Sequence, residues 1–98
     1  MSVSGPAQAN LSRTVTKLTK TCDACPAQWQ GTTADGQTVY VRYRWGTLAV
    51  GIAPTFEAAV EASMSERAVF RDRVGPPGHG VMSYTELRYH LREVLRLP

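Results

Sequence analysis

Four groups of side chains in this 98-residue chain are of a type and spacing that could do chemistry. Cys22-Asp23-Ala24-Cys25 is a C-x-x-C, the spacing at which a single turn offers two thiolates to a tetrahedral zinc ion. It is half a site: the chain has only these two cysteines, so His79 and His90, an acidic side chain or a second subunit would have to complete it. Two ordinary thiols at a strand entrance is the favoured reading. Redox chemistry is disfavoured, because it lowers a thiol pKa by placing it at a helix N-terminus, and here Pro26 and an extended segment follow.

The second group is Tyr40, Arg42 and Arg44, which alternate along an extended segment and so share one face of it. Phenol beside guanidinium on a sheet can stack bases and pair with phosphates; the same types also dominate protein hot spots. Cross-strand pairs that stiffen an exposed sheet face are the alternative. Third, Arg88, Arg92 and Arg96 recur every four residues and would stack on one face of a helix, either solvated or serving as a docking stripe. The fourth group is the histidines. His79 sits among glycines in a connector that could act as a small lid, and His90 lies four residues after Glu86 beside the apolar Leu91.

Enzyme chemistry finds little else. No glycine-rich phosphate cradle, serine elbow, paired-carboxylate arrangement or His-x-x-x-His appears. The expectation is a protein that is not an enzyme and has no cofactor, with zinc on Cys22 and Cys25 as the one exception to test. Eleven basic against eight acidic residues give +3, which permits an anionic partner without requiring one. Nine of the eleven are arginine, a bias for which a GC-rich genome that favours arginine and alanine codons is the preferred explanation over phosphate or carboxylate recognition. The first residues lack the charged start and apolar stretch of a secretory signal, and no apolar run of membrane-spanning length occurs. A reducing cytoplasm is the expected compartment, with no membrane association.

The elements that must position these groups follow from periodicity. Residues 1–12 are small and polar without an apolar pattern and are expected to form a flexible arm; 13–98 should be one domain. Val15 and Leu18 give only a weak strand signal among threonines. Trp29 belongs to a first firm strand. Asp35-Gly36 supplies a turn, and the run from Thr38 to Trp45 is a second strand, with Val39, Val41, Tyr43 and Trp45 on the core face. Gly46 allows a reversal into a third strand bearing Leu48, Val50 and Ile52. Thr55 is a plausible N-cap for a helix carrying Phe56, Ala59, Val60 and Met64. The segment 65–74 reads better as helix than as strand. Beyond the loop 75–80, Ser83-Tyr84-Thr85-Glu86 is a capping box opening a helix with the stripe Tyr84, Leu87, Leu91, Val94 and Leu95. The expected fold is α+β: a three-stranded antiparallel meander with one face packed against two helices.

The run Cys22-Asp23-Ala24-Cys25-Pro26-Ala27-Gln28-Trp29, then Asp35-Gly36-Gln37 and Tyr40-Val41-Arg42-Tyr43-Arg44-Trp45-Gly46, resembles a pattern in small uncharacterised proteins of actinobacteria and their phages. The resemblance covers about residues 22–52. It implies a phage or actinobacterial accessory protein and brings no established activity. The expected function is therefore an accessory or regulatory protein that binds a macromolecule through Tyr40, Arg42 and Arg44, aided by Arg88, Arg92 and Arg96. A host or self-encoded protein is the favoured partner, and a nucleic acid or nucleotide on the same face is the alternative.

Overall fold

The computed structural model describes residues 11–23 and 27–98. Five strands form one antiparallel sheet in chain order: β1 (Val15–Cys22), β2 (Ala27–Thr33), β3 (Thr38–Arg44), β4 (Thr47–Ala53) and β5 (Phe70–Arg73). Helix α1 (Phe56–Ser63) connects β4 to β5, and α2 (Tyr84–Leu91) follows β5. The α+β class holds, but the sheet is larger than the expected three-stranded meander, which is only its middle, β2 to β4. The arm expected over 1–12 lies outside the described residues except for its end, which enters a helical turn at 11–13.

Both added strands run along the edges and bury little. β1 pairs with β2 through two register shifts, between Val15 and Lys17 and between Lys20 and Cys22, which break the period of two that would have announced it. On the other edge β5 has four residues, of which only Phe70 is partly buried. It pairs Phe70 with Val50 and Arg73 with Thr47, so the part of 65–74 read as helix is extended where it docks.

Residues paired across an antiparallel ladder share a face, and this separates two cores. On one face Val39, Val41 and Tyr43 lie opposite Ile52, Val50 and Leu48. Ala27 and Trp29 of β2 extend that surface, and Leu87, Leu91, Met82 and Leu95 close over it. On the other face Tyr40 and Ala53 pack beneath Ala59 of α1. The two helices thus cover opposite faces, correcting the expectation that both lie on one. α1 can sit there because β4 alternates large residues on one side with Ala49, Gly51 and Ala53 on the other. A Cβ at Gly51 would collide with the Ala59 carbonyl oxygen and stand 2.6 Å from the Ser63 amide nitrogen, so the helix backbone rests directly on the strand.

The helix starts follow the sequence. Thr55 Oγ1 accepts from the Ala58 amide at 3.2 Å, and Ser83 and Glu86 form the reciprocal capping box at 3.1 and 2.8 Å. α2 stops at Leu91, earlier than its apolar stripe suggests. The chain then turns so that Arg96 bridges Thr14 in parallel, with the Val15 amide donating to the Arg96 carbonyl at 2.8 Å.

Candidate binding face

Tyr40, Arg42 and Arg44 do share the α1 face of β3, but the structure treats them differently. Tyr40 is 6% exposed, covered by α1, with its ring edge-on to Phe56 at 5.7 Å and its hydroxyl accepting from Gln28 Nε2 at 3.0 Å. It is a core residue and offers no stacking surface, contrary to the expectation of an uncovered phenol. Arg42 is partly buried and Arg44 exposed. They lie on the hairpin-tip side of Gly51, on which α1 rests, and Ala49 beside Arg42 is 5% exposed.

Register adds two more arginines to that side of the face. Arg42 pairs with Ala49, and Ala49 with Arg71; Arg44 pairs with Thr47, and Thr47 with Arg73. Arg42, Arg44, Arg71 and Arg73 therefore stand at the corners of a plot on one face. Its sides are about 7 Å along the strands and about 10 Å across two strand spacings. Arg71 and Arg73 are exposed. Asp72 between them points to the other face, and its carboxylate accepts from the Arg73 backbone amide at 2.9 Å. Among the described residues none of the four guanidinium groups forms an ion pair; the ion pair seen joins Lys20 to Asp23.

Trp45 closes the plot at the hairpin tip. It was expected on the core face beside Tyr43, yet it is 61% exposed. Only two residues separate β3 from β4, and both have positive φ, 55° at Trp45 and 79° at Gly46, the pattern of a type I′ turn. A residue in that turn leaves the strand's alternation. The Arg44 guanidinium lies over the indole, 5.3 Å from the ring centroid. Val74 and the loop 75–80 buttress the turn: the Gly46 amide donates to the His79 carbonyl at 2.8 Å, and the Gly46 carbonyl accepts from the Val74 amide at 2.9 Å and the Gly75 amide at 3.2 Å. His79 is fixed from the other side by Tyr43, whose hydroxyl is hydrogen-bonded to His79 Nδ1 at 2.7 Å. Burial, and secondarily the Glu86 carboxylate, raise the Tyr43 pKa.

Arg88, Arg92 and Arg96 do not join this plot. Arg96 lies past the end of α2, so the helical stacking expected for all three stops at Arg92. Together with Arg13, Thr14 and Glu93 they line a shallow depression of about 350 Å³ at the other end of the strands, near the start of β1. Arg92 there covers the Tyr89 ring at 4.1 Å and donates to the Tyr89 carbonyl at 2.6 Å. Cys22 is exposed at the end of β1, while Cys25 lies outside the described residues. Among the described residues no three His, Cys, Asp or Glu side chains converge as metal ligands, and no helix is long and apolar enough to cross a membrane.

Sequence reasoning missed Arg71, Arg73 and Trp45. The signals were present: Arg71-Asp72-Arg73 has the period of a strand with one basic face, and a two-residue gap between strands forces Trp45 into the turn. Compared with protein-family models, with curated proteins and with solved structures, the chain matches none of them.

Proposed function

We propose that this protein is a non-catalytic binding module that takes the phosphate backbone of a nucleic acid onto Arg42, Arg44, Arg71 and Arg73. The observation that carries the reading is the plot itself: four arginines on one sheet face, three of them exposed and Arg42 partly so, without an ion pair among the described residues. Four like charges about 7 to 10 Å apart on one face build a local positive potential, which suits a partner of opposite charge. Guanidinium suits phosphate because its planar fork donates two parallel hydrogen bonds.

The protein-partner reading loses weight because Tyr40, the aromatic anchor it relied on, is buried beneath α1. The test is binding of labelled oligonucleotides over a salt series. Arg42→Ala with Arg44→Ala, and separately Arg71→Ala with Arg73→Ala, should each weaken binding at least tenfold. Each pair should also flatten the dependence of log affinity on log salt by about 1 to 2. Undiminished binding by both variants, or no binding of any oligonucleotide at low salt, overturns the reading.

A further inference from the structure

We infer that the nucleic acid is single-stranded and that Trp45 stacks on one of its bases; this rests on the backbone-binding reading above and adds to it. A tryptophan in left-handed backbone is unusual, since Cβ crowds the following carbonyl, and Asn-Gly or Asp-Gly is the ordinary choice for such a turn. Here Trp45 holds that conformation at φ 55° while its ring remains 61% exposed. Neither backbone preference nor burial accounts for an indole at this position. A stacking partner does.

The ring is also presented in a fixed way. The Arg44 guanidinium covers one side of it, leaving the other for a planar partner. Three backbone hydrogen bonds hold Gly46 to Val74, Gly75 and His79, and a Cβ at Gly46 would run into the Gly75 and Pro76 carbonyls, so the turn has a rigid base. Trp45 follows Arg44 directly, which puts the aromatic surface at the rim of the arginine plot. A strand with its phosphates over the arginines can place a base on the indole. Inside a duplex no base can do this without breaking a pair, because both its faces are already stacked and only the two end pairs are free, whereas unpaired bases gain from an aromatic platform whatever their sequence.

The chain's own fluorescence reads the contact. It has two tryptophans, and Trp29 is 2% exposed, so a quench by added oligonucleotide reports on Trp45. The intact chain is titrated with a deoxythymidine oligomer, a uridine oligomer, a duplex of equal length and poly-glutamate. Single strands of either sugar should quench the emission and bind more tightly than the duplex. Trp45→Asn suits the turn and should be at least as stable to urea as the parent, yet should bind single strands about tenfold or more weakly with the salt slope unchanged. Trp45→Phe should recover most of the affinity. If Trp45→Asn binds single strands as the parent does, or the duplex binds as tightly, the stacking inference falls while the arginine-pair variants still decide the backbone reading. Binding of poly-glutamate alone removes both.

Discussion

Glu86 carries two functions in one carboxylate. It accepts the Ser83 amide at 2.8 Å, closing the capping box of α2, and it lies within the electrostatic reach of His79 and His90. The Ser83 hydrogen bonds above all, with some help from the two imidazoles, hold its pKa below the usual 4.5. A carboxyl whose pKa is depressed on folding binds protons less readily in the native state than in the unfolded one. Its stabilising contribution is therefore complete above 4.5 and disappears as pH falls through the lowered native value. Urea midpoints measured from neutral to acid pH should decline for the parent below about 4.5, and Glu86→Gln should show a shallower decline. Superimposable profiles would mean that the capping carboxylate has no linkage to folding. Asp35 adds to the same acid limb, because the Thr33 hydroxyl bonded to it lowers its pKa as well.

At the level of elements, the contact between α1 and β4 decides how much of the sheet face stays open. Gly51 lets the helix lie on the strand backbone, and Gly51→Ala would drive a methyl into the Ala59 carbonyl and the Ser63 amide. Both are main-chain atoms that no rotamer change can move. The variant should lose about 1 to 3 kcal/mol in urea unfolding, the range for forced overpacking. Gly36→Ala, with open space around its Cβ and strain only from its φ of 89°, is the comparison that separates clash from backbone preference. The same contact shows what a sequence carries in view. β2, β3 and β4 were legible because large apolar residues alternate cleanly on one face and turn residues separate them. β1 was obscured by exposed threonines and two register shifts. β5 was obscured by its brevity and by having one partly buried residue, Phe70, so that the segment 65–74 reads better as helix. The side on which α1 packs is written in small residues, Ala49, Gly51 and Ala53 against Ala59 and Ala62, which carry little hydropathy and so no strong period. Half of the candidate site, Arg42 and Arg44, came from alternation within one strand. Arg71 and Arg73 join it only through pairing between strands far apart in sequence, which local pattern cannot express.

Across the whole molecule the sheet separates two tasks. The face under α2 holds the larger core, and the α1 face is covered over the row of Tyr40 and Gly51 and carries the arginine rows toward the hairpin tip. At the far edge of the sheet β1 buries little of its own. What anchors β1 is the return of the chain after α2: Arg96 exchanges backbone bonds with Arg13 at 2.9 Å and Val15 at 2.8 Å, and Leu95 inserts into the main core at 5% exposure. Truncating Leu95 should therefore do more than leave a cavity. Leu95→Ala is expected to lower stability by about 2 to 4 kcal/mol, and its effect should be unequal along the sheet. In amide hydrogen exchange Val15, whose amide donates to Arg96, should lose protection well before Val41 in the central strand, because local opening begins where few buried contacts oppose it. Equal loss at both amides would mean that the return segment is merely part of one cooperative core. Selective loss at β1, with oligonucleotide binding retained, would show that the arginine plot depends on β3, β4 and β5 and leaves the β1 edge free to open.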